Sequence, residues 1–268
     1  MVIVVKVGGS LLGEGIADSM IDDILKVASK EKLILVHGGG KIVTDYADKL
    51  GKEQKFIISP EGYRSRYTDL ETVKIFTMVM TGVINKEMVA ALQKIGLAAI
   101  GLSGLDGGLI KADRKKKLMI LDERKRKMII DGGYTGKISS VNGSLLKILL
   151  NEGYLPVISP VAIGKEFEYL NIDGDRAAAY IAGGVQAKSM IFLTNVKGVV
   201  MNGELVEKML LNEAENLRSQ IGPGMEKKVL ASIEALSMGV NESIIASGLV
   251  ENPITSALNH FECTVIVK

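Results

Sequence analysis

The chain has 268 residues, of which 47% are hydrophobic and 4% aromatic, and its formal net charge is +2. This length fits one large α/β domain or two closely associated lobes, and the apolar content suffices for a sizeable core. No uninterrupted apolar run reaches the roughly 18 residues that a membrane span needs, so we expect no membrane partner.

The first predicted element is a strand that delivers a lysine to a glycine turn. A β-branched run over residues 2–5 is followed by Lys6, Val7, Gly8 and Gly9. A short apolar run bounded by glycines is typical of a buried strand in a parallel sheet. Glycines let the backbone turn sharply and bring its N–H groups close to a ligand, and ligands of open α/β sheets bind beyond the carboxyl ends of the strands. We therefore predict a phosphate loop at Gly8 and Gly9.

The same arrangement recurs at residues 33–41, where an apolar run leads into His37 and then Gly38, Gly39 and Gly40. Two strand-to-glycine turns on the same edge of the sheet predict a cradle for phosphates. The common nucleotide motifs are absent, because the chain has neither G-x-x-x-x-G-K-S/T nor a G-x-G-x-x-G that follows a strand. We interpret His37 as a structural residue at a strand end.

Helices and strands alternate along most of the chain, which predicts βαβ units and a parallel sheet. Apolar residues at helical spacing predict helices over residues 16–30, 41–50, 70–95, 144–152, 174–183, 212–218 and 225–238. Further strands are predicted over residues 97–102, 155–159, 189–193, 243–246 and 264–267, whereas residues 56–59 fit either a short strand or irregular structure.

Residues 109–131 interrupt this alternation. Apolar patches at residues 118–121 and 128–130 flank charge clusters, which predicts an antiparallel hairpin that projects from the sheet. Residues 111–127 include nine basic and three acidic side chains, a net charge of +6 that leaves −4 for the rest of the chain. Such a surface can dock an acidic protein, although charge runs are usually solvated. Few aromatic residues accompany the charges, so we expect no nucleic-acid partner.

The single cysteine, Cys263, directly precedes the last predicted strand. One cysteine cannot form an internal disulfide, and its apolar neighbours predict a buried structural thiol rather than a nucleophile. A reducing, cytoplasmic setting is expected.

Taken together, these motifs resemble the amino acid kinase family, and the resemblance covers essentially the whole chain. The family's motifs occur in order: K-V-G-G-S at the start, V-H-G-G-G-K, G-Y-R at 62–64, G-Y-L-P-V-I-S-P at 153–160, N-I-D-G-D-R-A-A-A at 171–179, T-N-V-K-G-V at 194–199 and G-M-x-x-K at 224–228. The resemblance implies a three-layer αβα sandwich with a mostly parallel central sheet. It also implies an acceptor-binding half (1–160), a nucleotide-binding half (161–268) and a homodimer.

The N-acetylglutamate kinases, which phosphorylate a side-chain carboxylate with ATP, form the nearest branch of this family. The resemblance places Lys6 over the transferred phosphoryl group and Lys228 at the leaving phosphates, with Asp175 holding both lysines. From the residues alone, the alternatives are a surface pair with Lys227 for Lys228 and a helix N-terminal acid for Asp175. Lys6 could be a solvated strand-end lysine, but the apolar strand before it and the glycines after it favour a functional role.

Further roles follow from the same resemblance. Arg64 would bind the α-carboxylate of the acceptor, and Asn171 would bind the acceptor's backbone. Gly39 and Gly40 would donate N–H groups to the acceptor and to the transferring phosphoryl group. Mg²⁺ is expected together with ATP, without a dedicated metal site in the protein. The nucleotide would be framed by Thr194, Asn195, Val196, Lys197, Gly198 and Val199.

Two departures shift the expected substrate. Residues 62–69 read G-Y-R-S-R-Y-T-D, whereas the N-acetylglutamate kinases usually continue G-x-R with a small apolar residue and threonine. Asp173 and Gly174 stand where those kinases usually have asparagine and alanine. Both variants resemble the branch whose substrate is α-aminoadipate or glutamate, attached through its amino group to the C-terminal glutamate of LysW, a small acidic carrier protein. Docking of that carrier is expected at Arg66, Arg114, Lys115, Lys116, Lys117, Arg124, Lys125, Arg126 and Lys127.

Two other functions stay open at this point. One is a kinase of free N-acetylglutamate in arginine synthesis. The other is a non-catalytic sensor of amino acids or nucleotides on the same fold, although a sensor need not keep Lys6, Asp175 and Lys228 together.

Overall fold

A mostly parallel sheet lies at the centre of the molecule, in a computed structural model that describes residues 1–13, 15–222 and 224–268. The strands up to residue 160 are β1 (Val2–Val7), β2 (Lys32–His37), β3 (Phe56–Ile58), β4 (Arg64–Arg66), β5 (Ala99–Ser103), β6 (Ile110–Arg114), β7 (Lys117–Leu121), β8 (Lys127–Asp131), β9 (Gly136–Val141) and β10 (Leu155–Ser159). Those after it are β11 (Val161–Ile163), β12 (Tyr169–Asn171), β13 (Ser189–Thr194), β14 (Val200–Met201), β15 (Glu204–Leu205), β16 (Lys208–Leu210), β17 (Glu242–Ser247) and β18 (Thr264–Val267).

Helices cover both faces of this sheet. They are α1 (Asp18–Ala28), α2 (Gly40–Lys49), α3 (Leu70–Thr77), α4 (Asn85–Lys94), α5 (Gly143–Asn151), α6 (Gly174–Val185), α7 (Leu211–Leu217), α8 (Met225–Ser237) and α9 (Pro253–Leu258). A π-helical segment, Met78–Ile84, joins α3 to α4 without a break.

The central sheet has the strand order β16-β18-β17-β13-β1-β2-β10-β5. Its pairs from β17 to β5 are parallel, whereas β18 runs antiparallel to β17. Because side chains alternate between the two faces of a strand, β2 places Ile34 and Val36 in one core, with α5, α6 and α8, and Leu33 and Leu35 in the other. This is the predicted three-layer αβα sandwich.

A second, smaller sheet rises from the carboxyl ends of the central strands. Its order is β12-β11-β6-β9, and β11 follows directly on β10. The hairpins β3–β4 and β7–β8 lie beside it, so the predicted projecting hairpin is confirmed. The carboxyl-end edge of the central sheet is therefore enclosed by a second layer of strands, and a cleft forms between the two sheets.

The predicted helices and strands of the central sandwich are confirmed to within a few residues, and residues 56–59 contain the short strand β3. The second sheet, the hairpin β14–β15, strand β16 and helix α9 were not predicted. Their strands have two to six residues, and runs this short carry too few positions for a period to stand out.

The helical stretch Leu70–Lys94 is long and apolar enough to cross a membrane by length and composition alone. Here it lies against the central sheet, with Val79, Ile84 and Leu92 fully enclosed in the core. A core helix passes the same test, so the stretch is weak evidence for a membrane span.

Cys263 is a free thiol with 1% exposure, as predicted, and burial raises the pKa of this thiol to about 11.

Candidate active site

The site begins at Lys6, whose direction follows from the alternation along β1. Val4 and Lys6 point to the same face, the one covered by α6, while Val5 and Val7 point to the other. The Lys6 ammonium forms an ion pair of 2.7 Å with Asp175, and only 9% of either side chain is exposed. Lys6 is therefore not a solvated strand-end lysine.

Asp175 occupies the first turn of α6, and its position depends on the residue that begins the helix. Asp173 is the N-cap, and its carboxylate accepts hydrogen bonds from the backbone N–H groups of Asp175 (3.0 Å) and Arg176 (3.1 Å). Because Asp173 satisfies these N–H groups, the Asp175 carboxylate is left to face the lysines.

Lys228 approaches the same carboxylate from the first turn of α8. Its ammonium donates a hydrogen bond of 3.2 Å to the second oxygen of Asp175, and 14% of its side chain is exposed. Helices α6 and α8 pack directly against each other, which brings the two first turns together. Lys6, Asp175 and Lys228 thus form a buried triad of two ammonium groups around one carboxylate.

The triad fixes the ionisation of Asp175. Burial by itself would raise the pKa of this carboxyl, but the charges of Lys6 and Lys228 outweigh burial, and the net effect lowers the pKa below its ordinary value. The triad consequently keeps a net positive charge at neutral pH, in a region almost closed to water, and such a site favours an anion.

Next to the triad, the two glycine turns touch through their backbones. A Cβ at Gly9 would lie 2.6 Å from the backbone nitrogen of Gly39, and one at Gly38 would lie 2.8 Å from that of Gly9. Gly8 donates its N–H to the carbonyl of Leu193 at 2.9 Å. Side chains at these positions would push the loops apart, so glycine is required for the two turns to meet.

Gly39 has a second constraint, from the helix behind it. Its φ is +147°, and a Cβ there would lie 2.2 Å from the Cδ1 of Ile84 at the end of the π-helical segment. Met80 of the same segment borders the cleft beside Gly39. The wider turn therefore packs against the glycine loop, and π-helical turns are often found at functional sites.

A cleft of about 1050 Å³ opens in front of these elements. Lys6, Gly9, Gly39, Gly40 and Asp175 line its floor. Helices α2, α6 and α8 all begin at this cleft, and the N-terminus of a helix presents free N–H groups and the positive end of its dipole. The cleft is built to receive an anion.

Hairpin β3–β4 forms one wall of the cleft and touches α8 across it. The Tyr63 hydroxyl donates a hydrogen bond to Glu226, and the Lys227 ammonium donates one of 3.2 Å to the carbonyl of Arg64. Burial and Glu226 raise the pKa of Tyr63 to about 12, so this hydroxyl keeps its proton. The Arg64 guanidinium stacks on Phe56, 3.8 Å from the ring centre, and borders the cleft.

Asn171 lies on the opposite wall, where its amide donates a hydrogen bond of 3.0 Å to the hydroxyl of the fully buried Thr68. The Thr68 carbonyl in turn accepts the N–H of Tyr134 at 2.7 Å. Thr68 therefore ties the loop after β4 to both the second sheet and the turn before β9. The sequence carried no signal for this residue, because its partners are distant in the chain.

His37 is fully buried at the end of β2. Its Nδ1 lies 3.0 Å from the carbonyl of Gly38, and its Nε2 lies 3.4 Å from the Asn85 amide. Burial lowers the pKa of His37 to about 4, so the ring is neutral at physiological pH. These contacts match the structural role predicted for it.

Residues 194–199 follow β13 on the far side of the Gly8 turn. Thr194 is buried, and its carbonyl accepts the N–H of Gly248 at 2.7 Å. Lys197 pairs with Glu262 at 2.6 Å, and the N–H of Val199 bonds to the Thr264 hydroxyl at 2.8 Å. This loop does not line the cleft. It borders the glycine turn from the other side, together with its neighbours Asn195, Val196 and Gly198.

The basic residues of the predicted docking surface divide into four groups. Arg66 donates to the carbonyl of Gly40 (2.7 Å) and the hydroxyl of Thr44 (2.9 Å), so it braces the start of α2 rather than extending the hairpin surface. Arg114 donates to the carbonyl of Gly133 (2.6 Å) and stacks on Tyr134, which holds the base of the hairpin. Lys115 borders the cleft. The exposed side chains on the hairpin itself are Lys116, Lys117, Arg124, Lys125, Arg126 and Lys127.

At the hairpin tip, Asp122 organises the turn between β7 and β8. It accepts hydrogen bonds from the backbone N–H groups of Arg124 (2.9 Å) and Arg126 (2.8 Å) and pairs with the Arg126 guanidinium at 2.8 Å.

Within the described residues, no group of three or more His, Cys, Asp or Glu side chains is arranged to hold a metal ion.

Comparison with known proteins gives consistent matches over this architecture. A family model described as amino acid kinase family matches residues 1–247. A LysW-aminoadipate/LysW-glutamate kinase from Metallosphaera sedula is 47% identical over 257 residues, which cover 96% of this chain and 97% of that protein. A protein from Nitrosopumilus maritimus, named provisionally for the same activity, is 58% identical over 264 residues, or 98% of each chain.

Among solved structures, the carbamate kinase of Giardia superposes with a TM-score of 0.70 at 15% identity, covering 100% of this chain and 98% of that one. At this identity the likeness concerns the fold alone.

The triad leads to a stability prediction for Asp175→Asn. This change leaves two buried ammonium groups without their shared carboxylate, so we expect a loss of about 3 kcal/mol in the free energy of unfolding at pH 7. The folded-state pKa of Asp175 is lowered, so its contribution is fully present above its ordinary pKa of about 4 and is lost as the pH falls through the folded value. In urea unfolding, the difference in the free energy of unfolding between wild type and Asp175→Asn should therefore be constant from pH 7 to 5. It should shrink only in stronger acid.

Asp173→Asn is the matched control, since asparagine also caps helices well. It should change the free energy of unfolding by only a few tenths of a kcal/mol. Equal losses in the two variants would contradict a special role for the triad.

Proposed function

This chain belongs to the amino acid kinase family, and on that premise we propose that it transfers the γ-phosphoryl group of ATP to the side-chain carboxylate of α-aminoadipate bound to LysW, and to that of LysW-bound glutamate. The product is an acyl phosphate. The names of the Metallosphaera and Nitrosopumilus relatives support this choice of substrate. In the structure, the buried triad of Lys6, Asp175 and Lys228, placed where two glycine turns meet, is the observation that carries the proposal.

The chemistry explains why the site holds cations rather than a base. A carboxylate is already ionised at neutral pH, so its oxygen can attack phosphorus without losing a proton. The obstacle is the repulsion between this anion and the triphosphate, and catalysis therefore consists of positioning and charge neutralisation. The neutral, buried His37 is not needed as a base.

Each triad member has a separate role in this proposal. Lys6, on β1 between the glycine turns, neutralises the charge of the phosphoryl group during its transfer. Lys228, on α8, stabilises the charge that develops on the leaving phosphates. Asp175 acts as a positioning residue, because each of its two oxygens holds one of the two ammonium groups. Of the two lysines, Lys6 lines the cleft itself.

The acceptor is assigned to the cleft and to residues 1–160. The N–H groups of Gly39 and Gly40 would bind the attacking carboxylate, and Arg64 would bind the α-carboxylate, for which a guanidinium is well shaped. Asn171 keeps donor and acceptor capacity beyond its bond to Thr68 and would bind the acceptor's backbone.

The nucleotide is assigned to residues 161–268, behind the Gly8 turn. Thr194, Asn195, Val196, Lys197, Gly198 and Val199 border that turn and would frame the base and ribose. The N–H groups of Gly8 and Gly9 and the start of α8 are suited to phosphate oxygens. We infer that Mg²⁺ accompanies ATP, where it would supply further neutralisation of the phosphates.

The carrier is assigned to hairpin β7–β8. This hairpin stands beside the acceptor wall, since β7 packs against β3, and it exposes a row of cations. An acidic protein that docks there would place its C-terminus near Arg64. Electrostatic attraction of this kind mainly raises the association rate and is weakened by salt.

A homodimer in a cytoplasmic setting is part of the same proposal. Strand β5 is the last strand at one end of the central sheet, and an edge strand can pair with a strand of a second copy. The buried, free thiol of Cys263 suits a reducing compartment.

The proposal predicts the outcome of an acyl-phosphate assay. With ATP and hydroxylamine as trap, LysW loaded with aminoadipate should give hydroxamate, whereas free N-acetylglutamate should give little. Lys6→Met should lower kcat by about a hundredfold or more, because it removes a cation from the transferred phosphoryl group. ATP binding by that variant, measured by calorimetry, should persist.

The other functions give different results in the same assay. Efficient turnover of free N-acetylglutamate would indicate an arginine-pathway kinase. Absence of product from both acceptors, with ATP still bound, would indicate a sensor.

The docking surface predicts a salt-dependent effect. Replacing Lys116, Lys117, Lys125 and Lys127 together by glutamine should lower kcat/KM for the loaded carrier by at least about tenfold at low ionic strength. The difference should narrow as salt screens the charges, and kcat at saturating carrier should stay unchanged. Steady-state kinetics at several salt concentrations measure this.

A control variant loses the same charge elsewhere on the surface. It replaces four exposed lysines on α1, on α5 and before β2 and β13, namely Lys26, Lys147, Lys30 and Lys188. Equal losses in the two quadruple variants would show that net charge, and not the hairpin, attracts the carrier.

A further inference from the structure

The cleft contains two ammonium groups that the triad does not use. Lys115 borders it from the end of β6, and Lys227 borders it from the first turn of α8. Both line the same cleft as Arg64 and Asp173. Neither has been needed to hold the transferred phosphoryl group or the α-carboxylate of the acceptor.

The backbone fixes where Lys115 enters the cleft. Its N–H bonds to the carbonyl of Thr135 at 2.9 Å, and its carbonyl lies so close to Gly132 that a Cβ there would be 1.5 Å away. The D-G-G turn after β8 therefore packs directly on Lys115. The backbone of Lys115 is therefore held at the base of the hairpin.

Lys227 is fixed on the other wall, close to the proposed acceptor site. Its ammonium donates to the carbonyl of Arg64 at 3.2 Å and lies 5.9 Å from the centre of the Tyr63 ring. An anion bound by Lys227 would therefore lie next to an anion bound by the guanidinium of Arg64.

Among the residues that the structure describes, no carboxylate lies within 4 Å of either ammonium group. Two of the nearby acids are engaged elsewhere, since Asp173 caps α6 and Glu234 pairs with Arg176. Burial lowers the pKa of Lys115, and Arg176, Lys137 and Lys227 add to this effect while Asp173 opposes it. Around Lys115 three cationic groups thus act against the one carboxylate of Asp173, and a bound anion relieves this excess of positive charge.

We propose that Lys115 and Lys227 form a second anion subsite, which binds the free carboxylate of the carrier's terminal residue. The inference rests on the proposed function. A C-terminal glutamate has two carboxyl groups, and whichever of them forms the amide with the acceptor, the other stays free and ionised. That carboxylate lies a few bonds from the α-carboxylate at Arg64, and Lys227 is the neighbour of Arg64.

This subsite makes the cleft specific for a carrier-bound acceptor. Free N-acetylglutamate has a methyl group where the carrier has its terminal residue, so it leaves both lysines without a partner. Recognition then has two parts. The hairpin attracts the carrier, and Lys115 and Lys227 bind the free carboxylate of the carrier's last residue. The triphosphate of ATP offers the same type of anion, and the test must separate these two sources.

The test crosses two enzymes with two carriers. LysW loaded with aminoadipate is prepared with its free terminal carboxylate, and again with that group converted to a carboxamide. Wild type should lose about tenfold in kcat/KM on the carboxamide, as expected for one hydrogen bond to a charged group. For Lys115→Gln, kcat/KM on the carboxylate carrier should be about tenfold lower than for wild type. Exchanging that carrier for the carboxamide carrier should lower kcat/KM of this variant no further, and KM for ATP should be unchanged. Lys115→Arg should retain most of the activity.

Lys30→Gln, at the amino end of β2, is the matched control and should behave as wild type on both carriers. The subsite is refuted if Lys115→Gln lowers kcat/KM equally for both carriers, or if the change appears in KM for ATP. If wild type phosphorylates neither carrier, the proposed function itself fails, and that outcome is distinct from a loss of discrimination.

Discussion

The arrangement of the site depends on one carboxylate that holds two ammonium groups. Asp175 contacts Lys6 at 2.7 Å and Lys228 at 3.2 Å in a region almost closed to solvent. Two like charges at such short range would repel each other strongly at low dielectric, and the carboxylate between them removes most of that cost. The carboxylate is itself kept ionised by the lysines. Strand β1 and helices α6 and α8 must therefore pack together correctly for any member to keep its charge.

The same packing brings backbone N–H groups and charged side chains to one place in the cleft. The glycine turns after β1 and β2 meet without side chains between them, so backbone N–H groups and the Lys6 ammonium reach one point. Three helices begin around this point and add their positive ends. A phosphoryl group in transfer would be surrounded by donors that are already in place, and it would not have to reorganise water.

Much of this could be predicted from the sequence, because the determinants are local. Apolar strands that end in glycines predict the edge of the sheet at which the two glycine turns lie. The meeting of Lys6, Asp175 and Lys228, in contrast, was implied only by the resemblance to the amino acid kinases. Contacts between distant residues were not predictable in this way. The Tyr63–Glu226 bond, the links made by Thr68 and the internal role of Arg66 each join segments that no period or motif connects. The second sheet was not predicted for a different reason, since β6, β11 and β12 have only three to five residues and β6 pairs with a strand distant in the chain.

The central claim is that the acceptor's side-chain carboxylate itself attacks the γ-phosphorus, and an oxygen-transfer measurement tests it most directly. The carrier-bound aminoadipate is labelled with ¹⁸O in its side-chain carboxylate, turned over with ATP and trapped with hydroxylamine. Hydroxylamine attacks the carbonyl carbon, so the released phosphate keeps the bridging oxygen. The account predicts one ¹⁸O atom in each phosphate released by hydroxylaminolysis. Phosphate without label would mean that water or another group attacks ATP, and it would contradict the account.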